Sequence, residues 1–168
     1  MFEINWDYNF QIDGIIDTGI IVIAHFENPI QSKILNLLQD IFQGKKRLLI
    51  PLTTFVGAYH ILTSYLRVSH FDAKTALTET LKIDSNYYFP LVDQKTIIEG
   101  IDIATINKIE SWDGYLLSLA RLFQTSNIYS IDKKLRKKTT FNIIFPVEEA
   151  DLVKYHNFLK NTVFKKAI

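Results

Sequence analysis

IDGIIDTGIIVIAHFENPIQSKILNLLQDIFQGKKRLLIP, residues 12–51, is the stretch that decides the fold. It passes from a short isoleucine-rich run into helical periodicity and back into a second apolar run. The first run, Ile12 to Asp17, reads as a short strand, and a helix follows from about Thr18 towards His25. Pro29 opens a second helix, in which Ile30, Ile34, Leu37, Leu38 and Ile41 recur at helical spacing and Gly44 supplies the stop. Arg47 to Pro51 then reads as a buried strand. One residue in this stretch is out of keeping. Asp17 sits inside the otherwise apolar segment 14–26, where an unpartnered carboxylate is costly or loses its charge. It is either a cap between strand and helix or a ligand in a site.

The rest of the chain repeats the alternation. Thr53 to Leu66 carries Phe55, Tyr59, Leu62 and Leu66 along one helical face. Asp72 caps a helix with Ala76, Leu77 and Leu81, and Tyr87 to Val92 forms a third strand that Pro90 places at an edge. Asp93 caps a helix with Ile97, Ile98 and Ile101, and Ser111 caps the next, which leads into the strand Asn127 to Ile131. Asn142 to Val147 is the last strand, and Glu148 to Lys160 closes the chain as a helix. Short connections between strands and helices in this order resolve most simply as an α/β fold, a parallel sheet covered by helices on both faces. No linker-like tract or internal repeat divides it, so residues 1–168 read as a single domain.

Composition agrees. The 168 residues are 48% hydrophobic and 22% charged, values of an ordinary globular chain rather than a disordered or membrane-spanning one. The N-terminus, MFEINWDYNF, lacks the basic and apolar regions of a secretory signal, which leads to the expectation of a cytoplasmic protein. The absence of cysteine excludes disulfides, thiolate metal sites and cysteine nucleophiles. With 19 basic and 18 acidic residues the net charge is +1, so the whole molecule does not attract nucleic acid electrostatically. The run KKLRKK, with Lys133, Lys134, Arg136, Lys137 and Lys138 directly after Asp132, is either a solvated helix face or a phosphate contact.

In open parallel sheets, ligands bind beyond the carboxyl ends of the strands. Asp17 ends the first strand, Asp132 ends the fourth, and Asp113 lies in the first turn of the helix leading into that fourth strand. If the two strands are neighbours, three carboxylates meet on one rim. Singly, each is explained by capping a helix. Together they repel unless a cation neutralises them, and an all-oxygen set selects Mg²⁺ or Mn²⁺. Such a site suits metal-assisted phosphodiester hydrolysis. Competing signatures fail: the triplet Asp17-Thr18-Gly19 resembles an aspartic-protease motif, but that enzyme needs two copies in an all-β setting. There is also no Gly-rich phosphate loop and no serine nucleophile elbow.

These residues resemble the PIN domain family, which includes the VapC-type toxin ribonucleases. The resemblance runs in order along nearly the whole chain: IIDT with Asp17 and Thr18, LLIPLTTF, SWDGYLLSLA with Asp113, and IYSID with Ser130 and Asp132. It implies a three-layer α/β/α sandwich around a mostly parallel sheet of four to five strands. It also implies a Mg²⁺- or Mn²⁺-dependent ribonuclease, often homodimeric and, in the toxin branch, neutralised by a small antitoxin protein. Asp17, Asp113 and Asp132 would be the metal ligands and catalytic acids, Thr18 and Ser130 would support them by hydrogen bonds, and the basic run would hold RNA. The family's usual glutamate after the second strand falls at Gly57. Glu110 and His60 are the nearby candidates for an extra ligand, and Trp112 for a residue lining the site. With the fourth acid missing, the alternative is a degenerate PIN domain that binds RNA or protein without cutting.

Overall fold

The computed structural model describes residues 11–164; the reading of the N-terminal ten residues as lacking a signal lies outside them. Five short strands form one parallel sheet: β1 (Gly14–Ile16), β2 (Leu48–Pro51), β3 (Tyr88–Phe89), β4 (Asn127–Tyr129) and β5 (Asn142–Ile144), in the order β3-β2-β1-β4-β5. The register pairs Ile15 with Leu49 on one side and with Ile128 on the other, and Ile50 with Tyr88. Each strand is shorter than its apolar run, because pairing stops where the chain turns into a loop or helix. Pro90 follows an edge strand, as its missing N–H requires.

Among the described residues seven α-helices connect the strands, α1 (Thr18–Ala24), α2 (Gln31–Phe42), α3 (Thr53–Ser64), α4 (His70–Leu81), α5 (Gln94–Asn107), α6 (Ser111–Leu122) and α7 (Lys133–Lys138), and α8 (Glu149–Phe158) follows the last strand. A π-helical turn, Leu159–Val163, extends the last. Side chains alternate across the sheet with the two-residue period of a strand. Ile16, Leu48 and Ile50 join Ile20, Ile34, Leu38 and Leu62 in one core. Ile15, Leu49, Phe89, Ile128 and Ile143 join Leu117 and Leu119 in the other. The sheet is thus buried on both faces, with α1–α4 on one side and α5–α7 on the other. In α2 the four buried residues Ile34, Leu37, Leu38 and Ile41 each contribute roughly 1.5–3 kcal/mol of transfer free energy. No helix among the described residues is long and apolar enough to cross a membrane.

Two local expectations are corrected. The cap of α4 is Ser69 rather than Asp72: the Ser69 hydroxyl accepts from the Asp72 amide at 3.0 Å and donates to the Asp72 carboxylate at 2.6 Å, so Asp72 is the reciprocal partner one turn in. The cap of α6 is Glu110 rather than Ser111, and its side chain makes no capping bond. The isoleucines of α5 mark the helix but not its buried face, since Ile98 and Ile101 are 54% and 55% exposed. The face against α6 is Thr96, Gly100, Ile103 and Ala104. Small residues there let two backbones meet, a contact that an isoleucine stripe cannot make. A Cβ added at Gly100 would lie 2.8 Å from the Tyr115 Cα.

Candidate functional site

The strand order creates the site. From β1 the chain moves outward through β2 to β3, then crosses back to add β4 and β5 on the opposite side of β1. Right-handed crossovers therefore send α1 and α6 to opposite faces, and a crevice opens between them where β1 and β4 end. Asp17 follows β1 and Asp132 follows β4, two strands that are direct neighbours. Because α6 runs antiparallel to the strand it precedes, its first turn, with Asp113, lies at that same edge.

A cleft of about 490 Å³ opens there, bordered by Asp17, Asp113 and Asp132 together with Thr18, Gly57 and Glu110. Ser130, fully buried beneath it, links two of the acids. Its hydroxyl donates to Asp17 Oδ2 at 2.6 Å and accepts from the Asp132 amide at 3.0 Å. Asp132 Oδ1 accepts from the amides of Lys134 and Leu135, at 2.6 and 3.2 Å, so this acid is a true cap of α7. Asp17 precedes α1 but makes no capping bond in good geometry. Capping thus accounts for Asp132, whereas the side-chain partner of the Asp17 carboxylate is the Ser130 hydroxyl.

The electrostatics are those of acids lacking a counter-ion. Burial pushes the Asp113 carboxyl up to about 7, and the charges of Asp17, Asp132 and Glu110 push it the same way against the Glu110 amide. Burial also raises Asp17; the Ser130 hydroxyl and nearby amides oppose the rise and the Asp132 charge adds to it. Among the described residues no three His, Asp or Glu side chains stand as a ready-made metal centre. The donors are nevertheless all oxygen on the acid-bearing edge, and their mutual repulsion is what a hard cation would relieve.

The raised pKa of Asp113 has a sign that can be checked. An unfolded aspartate titrates near 3.8 and the folded one near 7, so between these values the native state holds the extra proton. Without divalent cations, stability conferred by this group falls as pH rises through that window and is lost above it. Asp113→Asn removes the dependence. The variant's unfolding free energy should match wild type near pH 4 and exceed it by pH 8, by an amount on the order of 2 kcal/mol for a partly exposed group, with melting temperature rising in step. A difference that stays flat with pH would contradict the burial argument.

The remaining candidates separate. His60 borders the cleft, but its Nδ1 lies 3.3 Å from the Ser64 hydroxyl and its ring packs edge-on against Tyr65. Gly57 faces Thr18: a Cβ at 57 would come within 3.1 Å of the Thr18 methyl, so the glycine lets α3 approach the first turn of α1. Trp112 borders the cleft and is half exposed. The basic run does form a helix, α7, but it stands outside the cleft, and three of its charges are engaged locally. Lys133 pairs with Glu149 at 3.0 Å, the Arg136 guanidinium lies 5.0 Å from the centre of the Phe145 ring, and Lys138 donates to the Lys108 carbonyl. Lys134 and Lys137 form no ion pair among the described residues. Tyr65 and Val56 also border the cleft, a role the sequence reading missed. The available signal was that neither belongs to the apolar face of α3 set by Phe55 and Leu62.

No protein-family model and no curated protein matches this chain. Solved structures do. The chain is similar to VapC20 of Mycobacterium tuberculosis, a sarcin-ricin loop cleaving toxin, at a TM-score of 0.58 and 12% identity over 78% of this chain and 98% of that one. It is also similar to PAE2754 of Pyrobaculum aerophilum, at a TM-score of 0.56 and 15% identity over 85% and 92% of the two chains. At these identities the likeness is one of fold, and the fold is PIN-like.

Proposed function

We propose that this chain is a metal-dependent ribonuclease that hydrolyses RNA phosphodiester bonds, of the kind that serves as the toxin of a toxin–antitoxin pair. The observation that carries the reading is the meeting of Asp17, Asp113 and Asp132 in one cleft, with Asp113 pushed up to about 7. The fold shared with VapC20, itself a sarcin-ricin loop cleaving toxin, supports it. Under this reading RNA is the substrate, a small antitoxin protein the partner, a homodimer the working form and the cytoplasm the place of action.

Asp17, Asp113 and Asp132 would hold Mg²⁺ or Mn²⁺, which when bound supplies Lewis-acid activation of water and charge neutralisation at the scissile phosphate. Ser130 fixes the Asp17 carboxylate and, through the Asp132 amide, the start of α7. Thr18 lies against Gly57 at the mouth. Glu110, freed from capping, is the acid best placed to compensate for the missing glutamate, because its charge already acts on Asp113.

A second reading is favoured by one observation, the lack of a ready-made metal centre, together with the glycine at position 57. It makes the chain a catalytically silent RNA-binding or protein-interaction module. Thermal unfolding in Mn²⁺ separates the two. A site occupied at a hundredfold excess over Kd adds about 2.7 kcal/mol, which for a chain of this size raises Tm by about 5–10 °C. The nuclease reading expects this rise, reduced by Glu110→Gln. A Tm that is the same in millimolar Mn²⁺ and in EDTA favours the silent module.

A further inference from the structure

The cleft has a second character besides its acids. Among the described residues that border it there is no lysine or arginine, so the cleft's own side chains supply no basic clamp for a phosphate. What it offers instead is exposed apolar and aromatic surface. Val56 is 70% exposed, Tyr65 61% and Trp112 52%. Large apolar groups concentrated in a concave surface mark a binding site rather than a leftover of folding.

The Tyr65 ring is held in place, and Trp112 sits on a helix fixed by its buried face. Tyr65 packs edge-on against His60, with ring centres 5.5 Å apart and planes at 88°, and His60 is itself fixed by the Ser64 hydroxyl. Trp112 is anchored in the first turn of α6, whose following residues 114–120 are all buried. It directly precedes Asp113. A flat ligand resting on Trp112 is therefore held one residue from the acid rim, while Val56 of α3 and Tyr65 at its C-terminal end also border the cleft. An aromatic shelf without basic neighbours recognises the π-face of a base, and that face is free only where the strand is unpaired.

We infer that this wall is a nucleobase shelf: Trp112, with Tyr65, stacks a base of the RNA beside the acid rim. The inference rests on RNA being the ligand of this cleft. It assigns binding of the base to the aromatic wall, and contact with the flanking backbone to Lys134 and Lys137 outside the cleft.

The test is fluorescence anisotropy with a labelled single-stranded RNA 12-mer and its duplex, in Ca²⁺, alongside cleavage of the same RNA in Mn²⁺. Full-length wild type is compared with Trp112→Ala, Trp112→Phe and Tyr65→Ala, each first shown to melt as wild type. Loss of one stacking partner is expected to weaken single-strand binding about 5- to 100-fold in Trp112→Ala, with most of it restored in Trp112→Phe and duplex binding unchanged. Equal binding by Trp112→Ala and wild type, or a duplex bound as tightly as the single strand, overturns the shelf. If Asp17-dependent cleavage persists in that case, the nuclease reading stands without it. Conversely, Trp112-dependent binding with no cleavage supports the shelf and removes the nuclease reading. No RNA binding by wild type overturns both.

Discussion

Asp17→Asn is expected to reduce RNA cleavage by about 10²–10⁴-fold while leaving melting temperature unchanged or raised. The loss corresponds to several kcal/mol of transition-state charge stabilisation that an ion held by this carboxylate would supply. The unchanged fold follows from the local structure. Asparagine has the same shape and keeps an oxygen to accept from the Ser130 hydroxyl, which now donates at 2.6 Å. Burial raises the Asp17 pKa, so its charge is a burden on the folded state that a neutral amide removes. Stability and activity thus move apart, as expected where a fold tolerates strain for function. Cleavage of an RNA panel and a melting curve on the same preparation check both halves. A variant that cuts like wild type would sink the proposed function. One that melts far lower would show instead that Asp17 is structural.

Gly114→Ala carries the largest expected effect on stability. The new Cβ would collide with the Gly100 carbonyl oxygen and lie 2.8 Å from the Ala104 Cβ and 3.0 Å from the Ala104 amide nitrogen. Backbone cannot yield as a flexible side chain does, so α5 and α6 must separate along their whole contact. The better helix propensity of alanine returns only about 1 kcal/mol. A net loss of about 3 kcal/mol or more is expected, or roughly 6–12 °C in Tm. Displacement of α6 also carries Trp112 and Asp113 away from the cleft, so activity falls with stability. Chemical denaturation, read as a shift in midpoint at constant slope, measures the first effect. Gly44→Ala is the comparison: nothing lies within 4 Å of that Cβ, and only the positive φ of 70° opposes it, so a smaller loss is expected.

Much of this arrangement was legible in the residues because it depends on local, periodic rules. The alternation of short apolar runs with helical stretches names a parallel sheet with both faces covered, and strands as apolar as Leu48–Ile50 agree with burial on both faces. An acid that ends an apolar strand announces itself by the cost of burying it, which is how Asp17 and Asp132 were found. The caps, three residues off at α4 and one at α6, were less legible. A serine or an aspartate can take either end of a reciprocal capping pair, and only backbone angles choose between them.

The sequence by itself determined the fold class, the helical and extended segments, and the three aspartates as a set, because each follows from spacing and from the price of burying charge. Only the tertiary structure decided that β1 and β4 are neighbours, which brings three separate carboxylates to one cleft. It alone decided that α5 turns Gly100 rather than Ile98 and Ile101 towards α6, because close backbone packing depends on the partner helix and leaves no period in the chain. It likewise withdrew most of the basic run into local pairs and set Tyr65 and Trp112 beside the acids, since residues 47 positions apart meet only when two helices flank the same strand edge.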